Sequence, residues 1–388
     1  MKILLVAPSP YLLTRSGRLS ADILSFFAQK NEIAAAVYDH DTQWFAPSGE
    51  GKFFFKDVCE LFPFNNRNPK VSAPQLYEII SQYKPSIILS LGDYDEVDAL
   101  FAIKSLDPSL FKWIHILTLD ASPIKDIYYE LFNKIDYLIS TNEMGMKETD
   151  IFPTLQKEKC LVGIDPTIFN FSPKINDDLK ILCCGKNSQS TGIASLIKAS
   201  QNLNNCEMYC HVGTTDKGDY DLKSLKNRYD KNNVVKFPEK YVGLNDGFTD
   251  EEMNKMYNNY DIFIDCSVRS ATGMSLLEAL SAGCVPITTK TGALKEIIDL
   301  LPRELQFFAE SNSYIGNLEE VYEIVSTESI VENIEKIKKL KENKEGFLEI
   351  KKKIEEVVKE ITREKFLQKV EKVLDFVKKE EGLTLKLE

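Results

Sequence analysis

Hydrophobic and polar positions follow two rhythms through residues 1 to about 170, short apolar runs alternating with stretches of helical period. Lys2 to Ala7 is a continuous apolar run of strand length, and Pro8 to Gly17 is a loop rich in Pro, Ser, Thr and Gly. Leu19 to Lys30 places apolar residues on one helical face, and Ile33 to Tyr38 is a second strand. The pattern breaks from Asp39 to Ala73, an aromatic and glycine-rich excursion without a clear period. It returns with a helix over Pro74 to Tyr83 and strands at Ser86 to Leu91, Trp113 to Asp120 and Ile135 to Thr141. Such βαβ order predicts a parallel sheet, whose ligands sit at the carboxyl ends of the strands.

The polar, Pro-containing run Ser172 to Asp178 reads as a linker, after which the alternation restarts. Leu179 to Cys184 is a strand, Gly185 to Gly192 a turn and Ile193 to Ser200 a helix. Glu207 to Val212, Leu222 to Tyr229 and Val234 to Phe237 continue as strand, helix and strand. Thr249 with Glu252 three residues on is a capping box for the next helix. The strand Ile262 to Ile264 then runs through small polar residues into a turn at Gly273. Met274, Leu277 and Leu280 recur at helical spacing, and Val285-Pro286-Ile287 begins another strand. From Ser329 to Glu381 the chain is rich in Lys and Glu, with apolar residues such as Ile354, Val357, Val358 and Ile361 on one side, the pattern of solvated amphipathic helices.

Composition narrows the class. With 388 residues, 43% of them hydrophobic, the chain buries a large core and divides into two domains, taken here as 1–172 and 173–363. No apolar run approaches the roughly 18 residues that span a bilayer, and the first residues lack the layout of a secretory signal, so a cytoplasmic protein is expected. The eight cysteines include no C-x-x-C pair and fit reduced core positions, implying neither disulfides nor zinc. A net charge of −11 argues against broad binding of phosphate backbones. The histidines His40, His115 and His211 form no motif, and His115 falls inside a strand.

The run Ser270-Ala-Thr-Gly-Met-Ser-Leu-Leu-Glu278-Ala-Leu-Ser-Ala-Gly-Cys-Val-Pro286 resembles the signature of retaining nucleotide-sugar glycosyltransferases of the GT-B type, family 4. The resemblance covers most of residues 1 to 300 and is strongest from 248 to 298. It implies an α/β chain of two Rossmann-like domains facing across a cleft, the first on the acceptor side and the second on the donor side. C-terminal helices follow, and the last, about 364–380, packs back onto the first domain. The implied activity is transfer of a sugar from a UDP- or GDP-sugar to an acceptor hydroxyl with retention, as an enzyme of carbohydrate biosynthesis. Enzymes of this type generally work without a bound metal, so no cofactor or metal is expected. The acceptor is a glycan, a protein, a lipid or, with less support, a nucleic acid; the oligomeric state is open.

The resemblance also assigns residues. A turn opening onto a helix offers free N–H groups and the positive end of the helix dipole, which suits a phosphate; Ala271, Thr272, Gly273 and Met274 occupy that turn. Glu278 matches the glutamate that holds the nucleotide ribose. Ser270 stands where the signature has its first glutamate, which touches the donor sugar or its phosphate. In Gly185-Lys186 to Thr191-Gly192, relatives carry a cation at each end to grip the diphosphate; Lys186 keeps the first and Thr191 replaces the second. Ser16 and Gly17 lie in the first loop, where a glycine lets the backbone approach donor or acceptor. Asp120 closes a strand whose end supplies a residue near the reacting sugar, and Tyr241 is placed to stack on the base. The catalytic candidates are therefore Asp120, Lys186 and Ser270. Because Ser270 breaks the signature, a second expectation stands beside the enzyme: a non-catalytic glycosyltransferase-like subunit that keeps the nucleotide pocket.

Overall fold

The computed structural model describes residues 2–38, 53–66, 68–172, 174–213, 218–239, 247–315 and 321–384. The chain separates into two compact units, one of residues 1–119, 124–160 and 365–388, the other of residues 120–123 and 161–364.

The first unit is built on a sheet of eight strands: β1 (Lys2–Pro8), β2 (Glu32–Tyr38), β3 (Phe53–Phe55), β4 (Cys59–Pro63), β5 (Ile87–Gly92), β6 (Lys112–Leu117), β7 (Tyr137–Ser140) and β8 (Gln156–Lys159). Their order is β3-β4-β2-β1-β5-β6-β7-β8, and every pairing is parallel except that of β3 with β4. The apolar run of β1 is buried from Ile3 onward because helices cover both faces of a parallel sheet. The helix Arg15–Phe27 follows β1, its start capped by Thr14, whose Oγ1 accepts from Gly17 N at 3.1 Å. The last helix, Arg363–Thr384, packs on this unit: Lys30 meets Glu371 at 2.8 Å, Lys369 meets Glu158 at 2.5 Å, and Phe376 lies edge-on to Tyr137.

The second unit holds a wholly parallel sheet of β9 (Leu179–Cys184), β10 (Cys206–His211), β11 (Val235–Lys236), β12 (Ile262–Asp265) and β13 (Val285–Thr288), in the order β11-β10-β9-β12-β13. A small hairpin of β14 (Ser311–Ile315) and β15 (Val321–Val325) stands apart. Two buried lysines from the C-terminal helices reach the start of β12. Lys341 Nζ lies 2.8 Å from Asp261 Oδ2, and Lys351 Nζ donates to Tyr260 O at 2.9 Å. Removing either partner of the Lys341–Asp261 pair would strand a charge in the interior.

Three pieces depart from the pattern reading. The excursion from Asp39 contains the β3–β4 hairpin, and the helix following it begins at Pro69 rather than Pro74. The strand β8 is Gln-Lys-Glu-Lys, with no apolar period at all, and takes its form from pairing with β7. The β14–β15 hairpin also lies in a stretch without a readable period.

Candidate functional site

The site is assembled at the carboxyl ends of β9, β12 and β13. After β12 the chain turns through Ser267 to Thr272 and enters the helix Met274–Ser281 at Gly273, a left-handed residue with φ 59° and ψ 23°. No side chain caps the start of this helix, and every one of its residues is buried. A side chain on Gly273 would meet only the terminal methyl of Ile297, which can turn aside, so it is the left-handed conformation that calls for glycine. Hydroxyls tie the turn to the end of β13: Thr289 Oγ1 and Thr291 Oγ1 donate to Ser267 O at 2.6 and 2.9 Å. The backbone of Ser270 is held by Ala293 N at 3.0 Å, and its side chain is buried with an Oγ that has no partner. Thr272 is buried and Ala271 half-buried.

Glu278 is 1% exposed, and its Oε2 accepts from Tyr257 OH at 2.9 Å. The carboxylate is thus oriented from the neighbouring helix Asp250–Asn258, whose start carries the expected Thr249–Glu252 capping box. This link was not readable in the sequence, since the partners lie on different elements.

The other wall is the loop after β9. Gly185 N donates to His211 O at 3.3 Å, and Lys186 is exposed. Thr191 Oγ1 lies 3.0 Å from Lys186 O and 2.9 Å from Ser188 O, so its hydroxyl closes the turn rather than extending from it. Gly192, with φ 65°, abuts the carbonyl of Cys266, and Val268 N donates to Ser190 O at 2.8 Å. These contacts join the Gly185–Gly192 loop to the turn that leads to Gly273. Arg269, which pattern reading passed over, follows Val268 at this junction. Its Nη1 is 3.7 Å from Asp120 Oδ1, and both residues belong to the second unit.

Ser16 and Gly17 belong to the first unit. Ser16 is exposed, while Gly17 is buried where a Cβ would overlap the carbonyls of Leu12 and Ser9; close folding of the loop over the helix start explains that glycine. His115 is a core residue, as its place in the strand suggests. Its Nδ1 is 2.8 Å from Ser90 Oγ, which also accepts from Trp113 Nε1 at 2.8 Å, and burial pushes its pKa down to about 3. His211, on β10, is likewise lowered to about 4 by desolvation. Tyr241 lies outside the described residues. A shallow cavity of about 690 Å³ on the second unit is lined by Tyr209, Phe237, Phe248 and Tyr260 among others, and among the described residues it includes none of the predicted donor residues. Among the described residues no group of three or more His, Cys, Asp or Glu side chains is arranged to hold a metal ion, and no helix is long and apolar enough to cross a membrane.

Comparison with known proteins bears on the domain and the fold. Residues 165–353 match the family model described as Glycosyl transferases group 1. Comparison with the curated proteins finds no match by sequence. Among solved structures, the sucrose-phosphate synthase of Thermosynechococcus elongatus superposes with a TM-score of 0.74 at 13% identity, covering 97% of this chain and 99% of that one. An E. coli protein described as trehalose-6-phosphate and solved with UDP-2-fluoro glucose gives 0.70 at 8% identity, covering 96% and 99%. A lipopolysaccharide outer core galactosyltransferase gives 0.64 at 11% identity, covering 97% and 100%. The fold is GT-B, as these structures show. The matched domain and the fold together make this chain a glycosyltransferase, an enzyme that moves a sugar from a nucleotide-sugar donor to an acceptor.

Proposed function

We propose that the protein is a retaining glycosyltransferase that takes a UDP- or GDP-sugar, the second unit holding the donor and the first serving the acceptor. The observation that carries this reading is the strand, glycine turn and buried helix at β12, Gly273 and Met274–Ser281. Its uncapped helix start lies one turn before a buried carboxylate at Glu278. Negative charge grows on the departing diphosphate, and preorganised N–H donors at Gly273 and Met274 with the Lys186 ammonium suit that charge. Glu278, oriented by Tyr257, takes the ribose. Asp120 and Ser270 face the transferred sugar, and no metal takes part. We place the enzyme in the cytoplasm.

The test uses the pure protein with a panel of UDP-, GDP- and other nucleotide sugars, following release of nucleoside diphosphate with and without candidate acceptors. One donor should be turned over, with retention in the product, and Lys186→Ala should cut turnover while leaving the unfolding midpoint in place. Turnover at the wild-type level in that variant would remove the diphosphate assignment.

One observation favours a second reading, the serine at position 270 where the signature has a glutamate. A binding subunit that keeps the nucleotide pocket while an associated chain does the chemistry predicts calorimetric nucleotide binding without turnover of any donor.

A further inference from the structure

We infer that Asp265, the last residue of β12, is a positioning residue for the turn that opens onto the helix Met274–Ser281, and that it acts through Ser267. The inference rests on the nucleotide-sugar reading above, in which that helix start meets the donor diphosphate. Asp265 is 4% exposed, and its Oδ1 accepts from Ser267 N at 3.0 Å and from Ser267 Oγ at 2.5 Å. Ser267 O in turn accepts from Thr289 Oγ1 and Thr291 Oγ1. Ser267 is therefore gripped from two directions, its amide and hydroxyl by the carboxylate and its carbonyl by the two threonines. That grip sets the path on which the chain leaves the sheet toward Gly273. N–H groups at a helix start act on a developing diphosphate charge only when their direction is set beforehand.

The second carboxylate oxygen shows that more than packing is at stake. Asp265 Oδ2 is buried and has no hydrogen-bond partner among the described residues. Thr288 stands directly across from Asp265 on β13, yet its Oγ1 is also buried and unpartnered, so the neighbouring strand does not satisfy the carboxylate. Ser270 Oγ, further along the same turn, is a third such atom. Buried polar atoms without partners are exceptions in folded proteins, and breaches of local rules gather at functional sites. A half-satisfied carboxylate in the interior also costs stability. The rest of β12, Ile262, Phe263 and Ile264, is apolar and fully buried, and stability alone favours one more apolar residue at its end. Asp265 offsets its cost by the geometry it imposes on Ser267.

Two substitutions separate positioning from packing. Asp265→Asn keeps an oxygen that accepts from Ser267, while Asp265→Val keeps a strand-forming side chain and removes the acceptor. Wild type and both variants are titrated by calorimetry with the nucleoside and its diphosphate, in the uridine and guanosine series, beside thermal unfolding. Asp265→Val should bind the diphosphate about tenfold more weakly, the scale of one hydrogen bond, and the nucleoside within about twofold of wild type. Asp265→Asn should recover most of that loss. Thr291→Val, which leaves Asp265 in place and removes a donor to Ser267 O, should weaken the diphosphate selectively in the same way, and it decides the matter if Asp265→Val does not fold. Wild-type diphosphate affinity in Asp265→Val with a lowered unfolding midpoint overturns the inference, because the residue then only packs the strand end. So does an Asp265→Asn variant as weak as Asp265→Val, because the charge and not the acceptor geometry is then at work. If the wild type itself binds no member of either series, the nucleotide reading fails and this assignment falls with it.

Discussion

Glu278, proposed above to take the ribose, is held in place by structure alone. It is 1% exposed in a helix with no exposed residue, and Tyr257 OH donates to its Oε2 at 2.9 Å. A buried carboxylate without such a donor is costly, so the pair is coupled in stability. Tyr257→Phe removes the donor without opening a cavity and should lower the unfolding free energy by about 1–2 kcal/mol. Glu278→Ala should lose roughly 1.5–3 kcal/mol of nucleotide affinity, the range for hydrogen bonds to a charged group. Urea unfolding and calorimetry with nucleoside diphosphates read the two effects. A Glu278→Ala variant that loses stability and keeps its nucleotide affinity would mean that the carboxylate serves packing alone. The sequence makes Glu278 legible because the helical period and the glycine turn fix its place within one element. Tyr257 and Arg269 were not legible as partners. The first meets Glu278 across 21 residues, and the second owes its position to a hydrogen bond between two loops.

At the scale of elements, the glycine turn is the part that least tolerates change. Gly273 combines a left-handed backbone with contact against Ile297 on the following helix, Gly292–Asp299. An alanine there meets a strained φ, while the Ile297 methyl it approaches can turn aside, and the cost should be about 1–2 kcal/mol, within the range for such outliers. The alanine would also shift the helix start, so turnover should fall more than stability alone explains; thermal unfolding beside donor turnover checks both. Thr191→Val tests the companion loop. If its hydroxyl only closes the turn, the variant loses about 1 kcal/mol of stability, the scale of one hydrogen bond, with nucleotide affinity unchanged. A tenfold loss of diphosphate affinity would instead return Thr191 to the donor site. Elements with strong local periods, such as β1, β9 and the helix Leu222–Tyr229, stand close to where their patterns place them. The polar strand β8 escaped because its pairing with β7, rather than its own residues, holds it in extended form, and the hairpin β3–β4 because its strands are too short to show a period.

For the whole molecule, the two sheets share a design in which strands of consecutive βαβ units lie parallel and buried, and each conceals a histidine. His115 lies in the first unit and His211 in the second, and desolvation lowers their pKa values to about 3 and about 4, below the ordinary value near 6.5. The unfolded chain therefore binds more protons than the folded one wherever the pH is below about 6.5 and above the folded pKa. The stabilising contribution of each neutral ring is complete above that upper limit and is lost as the pH falls toward the folded pKa. At pH 4.5 the loss should be roughly 2–3 kcal/mol for each histidine, from the displacement of the pKa values. Because the rings sit in different units, acid should weaken both units independently of any ligand. Urea unfolding of wild type, His115→Gln and His211→Gln at pH 7.0 and 4.5 tests this, since the carboxylates common to all three cancel in the comparison. Each variant should show a pH difference smaller than the wild type's by about 2–3 kcal/mol. If the His211→Gln difference equals that of the wild type, the ring is already protonated or solvated in the folded state, and its burial beside Phe248 does not hold in solution.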